Sequence, residues 1–152
     1  GITSKKYNLL TISTTEDELL GIGGENAEGF YACMKYFQSQ ENPNNQAFVK
    51  AFKEMWGADS VIGDVTQAAY LGPWIWKAAV EKAGSFDIDD VHAAHPNIEL
   101  PDAPEGYVRV HETNQHLYSR AKIGKITKDG QFEVMAVSED LIEPDPFPKG
   151  YQ

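Results

Sequence analysis

Residues 8–23, NLLTISTTEDELLGIG, run from an apolar stretch into three hydroxyl residues, Ser13, Thr14 and Thr15, and then three acids, Glu16, Asp17 and Glu18. A strand over 8–13 that turns straight into a helix is the opening of an α/β unit. Ser13-x-x-Glu16 has the form of a capping box, and the acids fall in the first helical turn, where the macrodipole favours them. The predicted helix runs from Thr14 to about Leu20 and is ended by Gly21, Gly23 and Gly24. A helix start at a strand end also presents free N–H groups and hydroxyls able to take a carbonyl or carboxylate. From these residues alone, the capping reading and the ligand reading both stand.

Outward from that junction, Phe30 to Phe37 is apolar on both parities, the pattern of a strand covered on both faces. Asn42-Pro43 opens a helix whose apolar positions, Phe48, Val49, Phe52, Met55 and Trp56, follow helical spacing up to Gly57. Asp64-x-x-Gln67 resembles a second capping box, with Val65, Ala68, Ala69, Ile75, Trp76, Ala79 and Val80 on one stripe up to Gly84. Pro73 inside that helix predicts a kink or local break. A shorter helix is expected from about Asp87 to His95, then a strand at Tyr107 to His111. Residues 117–137 read as a hairpin turning at Lys128-Asp129-Gly130, with a bulge at Gly124 keeping Ile123 and Ile126 on one face. The proline-rich tail EPDPFPKGYQ, 143–152, is expected to be extended.

The 152 residues are 41% hydrophobic, enough for a packed core, and carry a formal charge of −10 without a Lys/Arg cluster. That balance argues against nucleic acid and anionic membranes as partners. No apolar run is long enough to cross a bilayer, so no membrane insertion is expected. The single cysteine, Cys33, reads as an inert core thiol. His92, His95, His111 and His116 lack the third and fourth convergent ligands of a zinc site, so neither metal nor cofactor is expected. No nucleophile sits beside a base and no Gly-rich loop leads into Lys-Ser/Thr, so catalysis is not expected. Trp56 and Trp76 read as core packing.

Several strings taken together resemble one family: STTEDELLGIGGENAEG, YFQSQENPNNQAFVKAFKEMWGAD, AAYLGPWIWKAAVEKAGSFDIDDV, DAPEGYVRVHETNQH, IGKITKDGQFEV and IEPDPFP. The resemblance is to the C-terminal part of the urea and short-chain amide binding proteins, the periplasmic receptors of urea ABC transporters and their cytoplasmic relative, the amide sensor of the aliphatic amidase operon. It implies an α/β type I periplasmic binding protein, two-lobed and three-layered (αβα) with hinge crossovers, of which only the C-terminal portion is present. Residues 1–30 would end lobe 2, 31–42 form a crossover, 43–105 belong to lobe 1, 106–116 form another crossover, and 117–137 return to lobe 2 ahead of the tail, 138–152.

The same resemblance implies a small neutral ligand, urea or a short-chain amide, bound between the lobes and passed to ABC permease subunits outside the cytoplasm. A cytoplasmic amide sensor and a branched-chain amino acid receptor are the alternatives. Ser13 matches a ligand-contacting hydroxyl of the family and Thr14 is adjacent; Glu16 matches a common acidic residue and is read first as the cap partner. The other ligand contacts are expected in the missing N-terminal portion. Gly72-Pro73 departs from the family's uninterrupted helix.

Overall fold

The chain in this computed structural model, described for residues 1–151, runs β1 (Leu10–Thr11), α1 (Glu16–Ile22), α2 (Gly24–Ala27), β2 (Tyr31–Met34), α3 (Pro43–Trp56) and α4 (Asp64–Ala83). It continues through α5 (Ile88–Ala94), β3 (Glu99–Leu100), β4 (Val108–Val110), β5 (Leu117–Tyr118), β6 (Lys122–Ile126) and β7 (Phe132–Val137), and closes on a short 3₁₀ turn, Lys149–Tyr151. Strands β1-β2-β6-β7 form one sheet and β3-β4-β5 a second. Among the described residues only the β1–β2 pair is parallel.

Each sheet has its own core. Leu19, Ala27, Phe30, Ala32, Phe37, Ile126 and Phe132 pack on the first, where the Phe37 and Phe132 rings stack at 4.4 Å. Leu71, Ile75 and Ala79 of α4 pack with Ile98, Ala103, Val108 and Val110 on the second. No described helix is long and apolar enough to cross a membrane.

The expected strand over 8–13 is paired only at Leu10 and Thr11, because β2 is its one ladder neighbour. Leu10 and Ile12 are exposed. The first helix starts two residues later than expected: Thr15, with φ −128° and ψ −168°, is the N-cap. Thr15 and Glu18 form the capping box, and the Thr15 N–H donates to Glu18 Oε2 at 2.6 Å. Ser13 and Glu16 therefore do not form one, since the Glu16 side chain turns inward instead. Gly23, at φ 83°, ends α1.

In α3 the cap is as expected: Asn42 accepts the Asn45 N–H at 2.8 Å ahead of Pro43. Asn42→Ala is expected to destabilise by about 1 kcal/mol, read as a shift in the denaturation midpoint. The apolar face of α3 is not buried, however, and Met55 and Trp56 are exposed. Helix α4 is capped by Gly63 rather than Asp64, because the Asp64 carboxylate is taken by the Tyr36 N–H at 2.9 Å.

Of the expected kink or local break at Pro73, the break does not occur: α4 is one continuous helix of 20 residues. Ala69, whose carbonyl loses its donor, is exposed with Pro73, so solvent can satisfy that oxygen. The buried stripe is Gln67, Leu71, Ile75 and Ala79, displaced from the expected one; Val65 and Trp76 are exposed. Trp56 and Trp76 are thus not core residues among those described. Cys33 is half-buried, on a strand whose faces are only partly covered.

The hairpin holds from Lys122 with its Gly130 turn, but the register shift opposite Ile123/Gly124 leaves Met135 of β7 as the extra residue, so β6 alternates strictly and Ile123 does not share the face of Ile126; Leu117 and Tyr118 pair with β4 instead. The His111 N–H donates to the His116 carbonyl at 2.7 Å, closing a tight loop that folds β5 back onto β4. Residues 106–116, expected as a crossover, thus include a strand of the second sheet, and the chain returns to the first sheet at 119–121. From 138 the tail is irregular, with one bridge from Ile142 to Ser119. Gln152, its last residue, lies outside the described ones.

Candidate functional site

The chain passes between the sheets twice, at 35–42 and at 119–121. Where the passages meet, polar side chains are buried instead of apolar ones. Lys35 pairs with Asp64 at 3.2 Å and faces Glu105 at 3.9 Å. Lys122, 6% exposed, donates to the backbone carbonyls of Lys35 and Glu105. Burial pushes the Glu105 carboxyl up, opposed by Lys35 and Lys122, and holds the Lys122 ammonium below its ordinary range, opposed by Glu105. Each charge here is compensated chiefly by the others.

Beside this cluster the first passage is fastened by side-chain amides. The Tyr36 hydroxyl lies 2.8 Å from Asn45 Oδ1, and Asn45 Nδ2 donates to the carbonyls of Gln38 and Gln40. Gln38 Oε1 accepts the Ile62 N–H at 2.8 Å. These bonds satisfy backbone groups that belong to no sheet.

The opening stretch docks onto the same junction. Thr15 Oγ1 accepts the Asp64 N–H at 3.3 Å and donates to Asp17 Oδ1 at 2.8 Å. Gly63 lies so close to Asp17 that a Cβ there would sit 2.1 Å from Oδ1, so α1 and the start of α4 are in direct contact. Ser13 is exposed and Thr14 half-buried. Thr11 fixes both: its Oγ1 accepts the Ser13 N–H at 3.2 Å and lies 3.2 Å from Thr14 Oγ1. Two hydroxyls, able to donate and accept, thus stand at the carboxyl end of a parallel strand, on a loop fastened to both cores.

The histidines do not join this site. His111 is buried, with Nδ1 accepting the Thr113 and Asn114 N–H groups at 3.1 and 3.3 Å, and it organises the 111–116 loop. Among the described residues no group of three His, Cys, Asp or Glu is placed to hold a metal. Sequence reasoning missed Lys35, Glu105 and Lys122. Strand parity carries the signal for Lys122, which shares the inward face of β6 with Gly124 and Ile126.

The model of the periplasmic binding protein domain matches residues 1–152. The chain belongs to the periplasmic binding protein family. Its architecture is that of type I members, and it superimposes on a solute-binding protein of an ABC transporter from Rhodopseudomonas palustris HaA2, solved with p-hydroxybenzoic acid. The TM-score is 0.77 at 22% identity, covering 91% of this chain and 39% of that one.

An amino acid ABC transporter substrate-binding protein from Pseudomonas fluorescens Pf-5 gives a TM-score of 0.77 at 21% identity, covering 93% and 39%. A curated relative, limonene hydroxylase of Geobacillus stearothermophilus, is 34% identical over 125 residues, which are 82% of this chain and 23% of that protein. The binding-protein chain thus spans well under half the length of the proteins it matches. The family is one of solute-binding proteins and typically extracytoplasmic; the hydroxylase name belongs to that relative.

Proposed function

We propose that this chain is the C-terminal portion of the substrate-binding component of an ABC transporter, holding a small neutral ligand, urea or a short-chain amide, for delivery to the permease. Ser13 and Thr14 are its ligand contacts. The observation that carries this reading is their placement: a hydroxyl pair at the carboxyl end of β1, on a loop anchored to the junction of two cores. A urea or amide carbonyl accepts hydrogen bonds and its amino groups donate them, so hydroxyls can serve both. Burial of the ligand between closing lobes would supply the remaining partners.

In this reading the passages 35–42 and 119–121 are two hinge crossovers, the first sheet belongs to one lobe, and residues 43–118 belong to the other. The apolar face of α3 and α4 supports it. Phe48, Phe52, Met55, Trp56 and Tyr70 line an open hollow of about 590 Å³, surface that the rest of a two-lobed fold would cover.

Calorimetry on the full-length protein carrying this chain, with urea, acetamide, leucine and 4-hydroxybenzoate, tests the proposal. Urea or acetamide is expected to bind, and Ser13→Ala to weaken that binding about tenfold without moving the melting midpoint, since Ser13 is exposed. Unchanged affinity in Ser13→Ala rejects the role, and binding of leucine or 4-hydroxybenzoate alone rejects the neutral ligand.

A further inference from the structure

Glu16 is not part of the cap, and its surroundings give it another role. It is 1% exposed, and its Oε1 accepts the Ser39 N–H at 3.2 Å with the Ser39 hydroxyl oxygen 3.4 Å away, while its Oε2 has no hydrogen-bond partner. Ser39 lies in the first passage and also donates to the Phe132 carbonyl of β7. One carboxyl group therefore joins the start of α1, directly after Ser13–Thr15, to a passage and, through it, to the hairpin. We propose that Glu16 is a proton-dependent positioning residue, clamping the Ser13–Thr15 loop to the first passage while its carboxyl is neutral and loosening it when the carboxyl ionises. The consequence for ligand affinity rests on the reading of Ser13 and Thr14 as contacts.

Among the described residues no cation pairs with Glu16. Lys35, on the passage, is taken by Asp64 and Glu105, and Lys122 of β6 donates to backbone carbonyls. The other titratable groups around it bring no positive charge: Asp17 and Glu18 on its own helix, Asp64 at the start of α4, and Tyr36 on the passage, whose phenol is pushed up by burial and by Glu16 and Asp64. Burial pushes the Glu16 carboxyl up to about 7, against hydrogen bonds from its own backbone and from Ser39 that lower it. An ionised Glu16 must be hydrated, and water reaches it only if α1 parts from the passage. Because the folded-state value is raised from 4.5, the contribution to stability is complete below about 4.5 and lost as pH rises through about 7.

The test compares wild type with Glu16→Gln by guanidinium denaturation from pH 4.5 to 8. The wild-type folding constant relative to the variant is expected to fall by roughly a few hundredfold over that range; parallel curves overturn the proposal. Carbon-13 NMR of the wild-type carboxyl provides a readout that needs no variant, with a Glu16 midpoint near 7 expected and one near 4.5 overturning it. In the full-length protein, affinity for urea and acetamide is expected to weaken above pH 7 in wild type and to stay flat in Glu16→Gln; equal pH profiles overturn the coupling. If neither probe binds at any pH, the ligand reading fails, while denaturation and NMR still decide the clamp.

Discussion

Lys122→Ala is expected to lower stability by about 3–5 kcal/mol, the effect of removing a buried charge from a network whose other members then lose their compensation. Lys122 is buried at the start of β6 and donates to two carbonyls, Lys35 on the first passage and Glu105 before β4, so one ammonium ties together both passages and both cores. Without it those carbonyls lose their donor, and Glu105, whose carboxylate oxygens have no hydrogen-bond partner, loses a neighbouring cation. Pairing Lys122→Met with Glu105→Leu is expected to recover only the part of the loss due to the stranded Glu105 charge, because the two carbonyls still lack their donor. Guanidinium denaturation followed by tryptophan fluorescence measures both. A loss under about 1 kcal/mol for Lys122→Ala would mean that this cluster behaves as a solvated surface pair and does not hold the junction.

Gly24→Ala is expected to destabilise by about 3 kcal/mol or more, through backbone overlap. A Cβ at Gly24 would lie 2.3 Å from the Gly130 nitrogen and 2.6 Å from the Lys128 carbonyl oxygen, both in the turn of the β6–β7 hairpin. No side chain can rotate away to relieve this; α2 or the hairpin must move, and Leu19, Ala27 and Phe132 lie in the core between them. Gly21→Ala is the control. It is helical, with open space at its Cβ, and the substitution is expected to stabilise by about 1 kcal/mol. Equal effects from the two glycines would show that the α2–hairpin contact is not tight.

Much of the fold was legible because local chemistry set it. The Asn42-Pro43 opening and the Gly130 turn are each fixed by residues within a few positions of the feature, whereas the bulge expected at Gly124 falls on the partner strand. What the sequence concealed depended on neighbours. Glu16 and Glu18 both sit in the first turn of an acidic helix, and only the proximity of Ser39, 23 positions away, turns Glu16 inward and leaves Glu18 to complete the cap. The periodicity of α3 correctly marked a helix but not what covers it, so Met55 and Trp56 read as core and are exposed. At the candidate site, Ser13 and Thr14 were reached through a family resemblance rather than through their own spacing. Their attachment to Asp64 through Thr15 is a contact 49 positions apart, invisible to any local pattern.

The direct measurement is a crystal structure of the full-length protein carrying this chain with urea or acetamide bound. The account predicts the ligand within about 3.2 Å of a Ser13 or Thr14 hydroxyl, beside the junction of Lys35, Asp64, Glu105 and Lys122. A ligand seated elsewhere, with Ser13 still open to solvent and neither hydroxyl in contact with it, would contradict the account.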